Sequence, residues 1–108
     1  MTFRRWCEGT PLEQAPYNFS QPPKDCPLVT PNLILTPLVG FDRAGNRLGQ
    51  GGGHYDRYFS SNSEALRIGL AWSVQEVASV PSETWDVPLD AIATEREWIV
   101  PPVSRLSR

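Results

Sequence analysis

Apolar residues in this chain come in short runs cut by proline and glycine rather than in a sustained helical rhythm. Leu33-Ile34-Leu35-Thr36 lies between Pro31 and Pro37, and so short and bounded a run predicts a buried strand. Val39 to Phe41 is expected to continue it, with Asp42 to Asn46 turning at Gly45-Asn46. Leu66 to Ala71 and Ala91 to Thr94 predict a second and a third buried strand, and Thr2 to Trp6 a further one. A helical pattern occurs from His54 to about Asn62, where Tyr55, Tyr58 and Phe59 fall on one side. Strand, glycine-rich loop, helix, strand is the order of an open α/β sheet, which takes ligands outside the carboxyl ends of its strands.

A chain of 108 residues with 11 prolines holds one domain, residues 1–108, with enough length for a real core. Pro11, Pro16, Pro22, Pro23, Pro27 and Pro31 deny regular helix to the stretch between Cys7 and Pro31. So long an irregular segment normally packs against something or contributes to a site. Trp6, Trp72 and Trp98 are expected to supply core and cover surface rather than cofactor contacts.

A formal net charge of −2 argues against a nucleic-acid surface, which needs a basic patch. Arg4 with Arg5 and Arg105 with Arg108 read as solvated ends. No apolar run nears the ~20 residues of a membrane span, and the first residues lack a signal-peptide core. The cytoplasm is the default expectation. Cys7 and Cys26, with a single histidine, fit no zinc pattern. A disulfide between them stays open, although a cytosolic chain favours two reduced thiols.

The most informative stretch is Gly49-Gln50-Gly51-Gly52-Gly53-His54-Tyr55-Asp56-Arg57. Glycine lets backbone pass close to a bulky ligand, and a glycine loop entering a helix aims N–H groups and the positive helix end at one spot. A P-loop would need Gly-Lys-Ser/Thr where Gly53-His54-Tyr55 stands, and a dinucleotide fingerprint would need glycine at His54. A flexible surface turn is the plain alternative, but the flanking Tyr, Asp and Arg are not linker residues. The residues alone therefore give an anion site at a helix start.

Pro37-Leu38-Val39-Gly40-Phe41-Asp42-Arg43-Ala44-Gly45-Asn46-Arg47-Leu48 runs unbroken into that stretch. Together they resemble the signature of the 5-formyltetrahydrofolate cyclo-ligase (methenyltetrahydrofolate synthetase) family: Phe-Asp, a Gly turn, Arg-Leu-Gly, then G-x-G-x-G-Tyr-Tyr-Asp-Arg. Trp85-Asp86-Val87-Pro88-Leu89-Asp90-Ala91-Ile92-Ala93-Thr94-Glu95 is similar to the family's His-Asp-x-x-x-Asp-x-Ile-x-Thr-Glu stretch. Phe3-Arg4-Arg5-Trp6 and Gly9-Thr10-Pro11-Leu12 resemble a segment ahead of the signature. The departures are His54 for a tyrosine, Asn32 for an aspartate and Trp85 for a histidine.

The resemblance covers the C-terminal part of the family. It implies a layered open α/β sheet with flanking helices, Rossmann-like and akin to sugar-phosphate isomerases and CoA-transferases, incomplete at its N-terminus. It further implies that a preceding segment, with Lys and Arg near the ATP phosphates and part of the folate pocket, is missing, so that the isolated chain is expected to turn over little. The implied reaction is ATP- and Mg2+-dependent cyclisation of 5-formyltetrahydrofolate to 5,10-methenyltetrahydrofolate, releasing ADP and phosphate. The γ-phosphoryl group would pass to the formyl oxygen, nitrogen-10 would attack, and phosphate would leave as the ring closes. Such chemistry asks the protein for positioning and charge stabilisation.

By resemblance, Gly49, Gln50, Gly51, Gly52, Gly53, His54, Tyr55, Asp56 and Arg57 would hold ATP, with Asp56 and Arg57 as catalytic residues. Asp56 and Asp90 would be the carboxylates for magnesium, and Phe41, His54 and Tyr55 would line the folate site. Each has a plain alternative: a dipole-favoured first-turn aspartate, a turn aspartate after Pro88, an exposed helix arginine, and a core phenylalanine. The partners expected are ATP and a reduced folate, with neither nucleic acid nor membrane. A non-catalytic nucleotide- or folate-binding remnant of that enzyme is the alternative function. A different α/β phosphate-binding protein is disfavoured by the length of the match.

Overall fold

The computed structural model describes residues 1–14, 20–49, 54–83 and 86–107. The described chain forms two compact units, Met1–Pro31 and Asn32–Arg108, where the sequence suggests one domain.

The first unit holds two small antiparallel ladders. Strand β1 (Phe3–Arg4) pairs with β4 (Leu28–Val29), and β2 (Glu13–Gln14) with β3 (Ser20–Gln21). The strand expected over Thr2 to Trp6 is thus cut to its middle. The next contact, Arg5 N–H to the Pro27 carbonyl at 2.8 Å, cannot be returned, because proline has no N–H to donate. The Arg4 guanidinium donates to the Cys26 carbonyl at 2.7 Å, and both thiols, Cys7 and Cys26, are free.

The second unit is built on a four-stranded sheet of order β10-β9-β8-β5. Strand β5 (Leu33–Pro37) runs parallel to β8 (Leu66–Leu70), and β8 parallel to β9 (Ala91–Ala93). Strand β10 (Trp98–Ile99) returns antiparallel on β9. The three expected apolar strands are all present, and β10 is an addition that the short Trp98-Ile99 pair did not signal.

Val39 to Phe41 does not continue β5. The chain leaves the sheet and forms a hairpin of β6 (Gly40–Phe41) and β7 (Arg47–Leu48). The Asp42 carboxylate causes this turn. It accepts from the Ala44 N–H at 3.0 Å, the Asn46 N–H at 3.1 Å and the Asn46 side chain at 3.2 Å. A fourth donor, the distant Val80 N–H at 2.9 Å, ties the hairpin to the segment after β8. Burial would raise the Asp42 carboxyl, but these donors outweigh it and hold the group below its ordinary value. Gly45 completes the turn at φ 91°, where an added Cβ would also lie 2.9 Å from the Leu89 carbonyl oxygen.

Helix α1 (His54–Ser61) crosses from the hairpin to β8. Asp56 sits in its first turn, where the helix dipole favours an anion. Phe59 is its buried anchor, and the Tyr55 ring lies one turn away at 6.0 Å between centroids. The Asn62 side chain donates to the Tyr58 carbonyl at 3.0 Å and closes the last turn.

Phe41, Leu89, Ile92 and Ile99 form the core, with Leu38 and Ala71 packed against them. On one face of the sheet Ile34, Thr36, Gly69, Ile92 and Ile99 are buried. The registers Leu35↔Ile68, Pro37↔Leu70, Leu70↔Ala93 and Trp98↔Ala93 put Leu33, Leu35, Leu70 and Trp98 on the other face. These four are exposed although Ile68 and Ala91 on the same face are buried, so this face is covered in part only, whereas parallel sheets are normally covered on both faces. The expected burial of β5 therefore holds for alternate residues only. Trp6, Trp72 and Trp98 are likewise exposed and supply no core.

An apolar face beside an edge strand favours association. The chain is expected to self-associate in dilute buffer and to melt over a broad range. A monomer by light scattering, with one sharp thermal transition, would refute this. Among the described residues no helix is long and apolar enough to cross a membrane.

Candidate active site

The segment from β5 to α1 brings the charged residues of the motif together at the point where the glycine stretch enters the helix. Gln50, Gly51, Gly52 and Gly53 lie outside the described residues. The flanking residues, Arg47 to Gly49 and His54 onward, are described.

Arg47, which the pattern of residues did not single out, is the centre of this region. Its side chain is only 7% exposed, and its guanidinium stands 3.9 Å from a carboxylate oxygen of Asp56 and 5.2 Å above the Tyr55 ring. Among the described residues its buried Nε has no hydrogen-bond partner. A buried cationic donor left unpaired is costly, and an anion is the natural complement. The sequence signal was the Arg-Leu-Gly word itself. Gly49 is explained by the same side chain, since a Cβ there would lie 2.7 Å from an Arg47 terminal nitrogen.

Asp56 is mostly buried. One of its oxygens accepts the Val87 N–H at 3.1 Å, and the other faces Arg47. Asn46, Arg47, Asp56, Ser82, Asp86 and Val87 line one small cavity. Asp86, rather than Asp90, is therefore the second carboxylate near Asp56. Asp56 and Asp86 thus bring two carboxylates to one cavity beside the Arg47 guanidinium. Among the described residues no group of three or more Asp, Glu, His or Cys forms an all-protein metal cage.

His54 and Arg57 are exposed on the first turns of α1, 3.3 Å apart between the Arg57 guanidinium and His54 Nδ1. Tyr55 is half-buried beneath Arg47. These three share the first turn of α1 with Asp56.

Phe41 and Asp90 lie elsewhere. The Phe41 ring is fully buried in the core and offers no surface to a folate. It supports the hairpin instead. Asp90, expected as a metal ligand, is 2% exposed and engaged by cations. Arg105 donates to its two oxygens at 2.9 and 2.6 Å, and the Arg67 N–H donates at 2.8 Å. Burial would raise this carboxyl, but those hydrogen bonds and the Arg67 and Arg105 charges hold it below its ordinary value. A metal there would have to displace a guanidinium.

The 5-formyltetrahydrofolate cyclo-ligase family model matches residues 1–95. The chain belongs to this family. Among curated relatives, 5-formyltetrahydrofolate cyclo-ligase of Haemophilus influenzae is 40% identical over 95 residues, covering 82% of this chain and 51% of the relative. The Escherichia coli protein of the same name is 43% identical over 70 residues, 63% of this chain and 38% of the relative. The chain thus spans about half the length of the curated cyclo-ligases it matches, or less. Its fold is similar to the solved Aquifex aeolicus 5,10-methenyltetrahydrofolate synthetase, with a TM-score of 0.79 at 30% identity over 96% of this chain and 54% of that one. The mixed α/β architecture with a parallel-containing sheet is therefore that of cyclo-ligase relatives. Arg105 lies beyond the residues the family model matches, and Asp90 within them.

Proposed function

We propose that this protein contributes the triphosphate-binding side of an ATP- and Mg2+-dependent 5-formyltetrahydrofolate cyclo-ligase. The carrying observation is the buried, partly unpaired Arg47 guanidinium beside Asp56, at the entry of the glycine stretch into α1. Arg47, the backbone N–H groups of Gly49 to Gly53 and the start of α1 would hold the phosphates. Arg57, exposed on the first turns, would meet an outer phosphate oxygen. Asp56, with Asp86, would face a magnesium ion, which neutralises phosphate charge as the γ-phosphoryl group moves. Tyr55 and His54 would contribute to the folate side. The sheet, parallel in β5, β8 and β9 and open in part on one face, reads as part of a larger layered, Rossmann-like sheet. The expected setting is the cytoplasm.

The chemistry places the demand on positioning. The formyl oxygen is a poor leaving group until it carries a phosphoryl group. A buried guanidinium and fixed N–H dipoles stabilise the charge that moves onto the phosphate without reorganising water.

Incubating the protein with 5-formyltetrahydrofolate, ATP and Mg2+, while following methenyltetrahydrofolate absorbance and ADP release, tests this reading. Product that requires all three supports it. Saturable binding of both ligands without product keeps the triphosphate-binding reading and makes the chain its non-catalytic form. Binding of neither removes the assignment.

A further inference from the structure

At the carboxyl end of β8 the chain holds two large apolar side chains out in water on a tightly tied turn. Trp72 is 65% exposed and Val74 88%. They flank Ser73 in a short 3-10 turn, Ser73–Gln75. Isolated exposed apolar residues are common and need no explanation. The fixing of this pair is what sets it apart.

Four sets of hydrogen bonds hold the turn. The Trp72 N–H donates to the Gln75 side-chain oxygen at 2.7 Å, and the Gln75 N–H returns to the Trp72 carbonyl at 2.9 Å. The Gln75 side-chain nitrogen donates to the Leu38 and Val39 carbonyls, both at 3.2 Å. The Glu95 carboxylate accepts from the Ser73 N–H at 2.6 Å and the Ser73 hydroxyl at 2.7 Å. The turn is thereby bound to the ends of β5 and β9 as well as β8. The carboxyl ends of parallel strands are where open α/β sheets take ligands.

The same bonds set the turn beside the phosphate region. Val39, whose carbonyl holds Gln75, donates its N–H to the Leu48 carbonyl at 2.7 Å. Leu48 directly precedes Gly49. One hydrogen-bonded step on each side of Val39 therefore connects the Trp72 turn to the start of the glycine stretch. An indole carried on a fixed backbone beside that region offers large apolar area through only two side-chain torsions.

Resting on the function proposed above, we propose that Trp72 is a stacking platform for the planar nitrogen heterocycle of a co-substrate. The shared ligand chemistry is a flat, fused-ring base, which adenine of ATP and the pterin of the folate both supply. Val74 extends the apolar surface at its edge.

The test uses the full chain and its Trp72→Ala and Trp72→Phe variants in equilibrium dialysis. The ligands are Mg-ATP, 5-formyltetrahydrofolate, inorganic tripolyphosphate and p-aminobenzoylglutamate, the last two lacking the heterocycle. Aromatic stacking on a base is lost by about tenfold or more on alanine substitution. Trp72→Ala is expected to weaken one of the two complete ligands by that factor, Mg-ATP if the base is adenine and the folate if it is pterin. Trp72→Phe should retain most of the affinity. Tripolyphosphate and p-aminobenzoylglutamate should bind all three proteins alike. If the parent binds both complete ligands and Trp72→Ala binds them equally well, the platform does not exist. Equal losses for tripolyphosphate and p-aminobenzoylglutamate, which lack the heterocycle, would mark Trp72 as merely structural and overturn the proposal. If the parent binds neither complete ligand, the function proposed above falls and this inference with it.

Discussion

Arg105→Ala is expected to destabilise the second unit by about 3 kcal/mol at neutral pH, the lower end of the cost of stripping one partner from a buried ion pair. Asp90 is the buried partner, with its side chain 3% exposed against 41% for Arg105. Without Arg105 the carboxylate keeps only the Arg67 N–H and the Arg67 guanidinium at 3.8 Å. Arg105 also donates to the Ser63 carbonyl at 2.8 Å and the Ala65 carbonyl at 2.7 Å, so its loss frees the connection from α1 to β8 as well. Arg105→Lys should recover part of the stability, because a lysine restores the charge but not the fork of donors. The pH dependence follows from the depressed carboxyl. A group whose folded value lies below its unfolded one, near 3.8, stabilises the fold above that unfolded value. The contribution is lost as pH falls through the lower folded value. Urea melts at neutral pH should therefore separate Arg105→Ala from the parent, and melts near pH 3 should bring them together. A constant gap at both pH values would show that Arg105 acts through the Ser63 and Ala65 carbonyls alone.

The sequence carries the strands and the site unequally, and the reasons are physical. Leu33-Ile34-Leu35 reads as fully buried because apolar residues occupy both faces, yet only the Ile34 side is covered. A pattern reports what a strand can bury, not what lies against it. The turn from Asp42 to Asn46 was legible and is present; what the sequence did not show is that Gly40-Phe41 leaves β5 to pair with Arg47-Leu48, and that Val80, far along the chain, also donates to Asp42. The helix was legible from local spacing, and its observed span, His54–Ser61, ends one residue short of the expected one. Within the motif, Arg47 adds a contact the helix spacing could not show, since it reaches Asp56 and Tyr55 from β7. The two aspartates of the later block were not separable by sequence. Pro88 stands between Asp86 and Asp90, and only the fold shows that Asp86 lines the Asp56 cavity while Asp90 meets Arg105. Arg105 read as part of a solvated end for the same reason, since its partner lies elsewhere in the chain.

Arg47→Met is expected to weaken Mg-ATP binding by roughly 10- to 100-fold, the worth of one to two charge-assisted hydrogen bonds from a buried guanidinium. Methionine keeps much of the volume beside Tyr55 while removing every donor and the charge. Binding of 5-formyltetrahydrofolate should change little, because the loss falls on the phosphate side. Asp56→Asn separates the two roles in this cluster. It leaves Arg47 in place and the Val87 N–H with an acceptor, but removes the charge that a magnesium ion would meet, so ATP binding should become less dependent on magnesium. Gly49→Ala provides an independent check. Its methyl group would occupy the space of the Arg47 guanidinium, and it should reproduce part of the ATP defect without altering any charge. Calorimetric titrations of the parent and the three variants, with and without Mg2+, measure these effects, and thermal melts of the same proteins control for folding. Should Arg47→Met remain folded and bind Mg-ATP as tightly as the parent, the unpaired Arg47 Nε is a cost of the hairpin rather than a phosphate contact, and the triphosphate lies elsewhere.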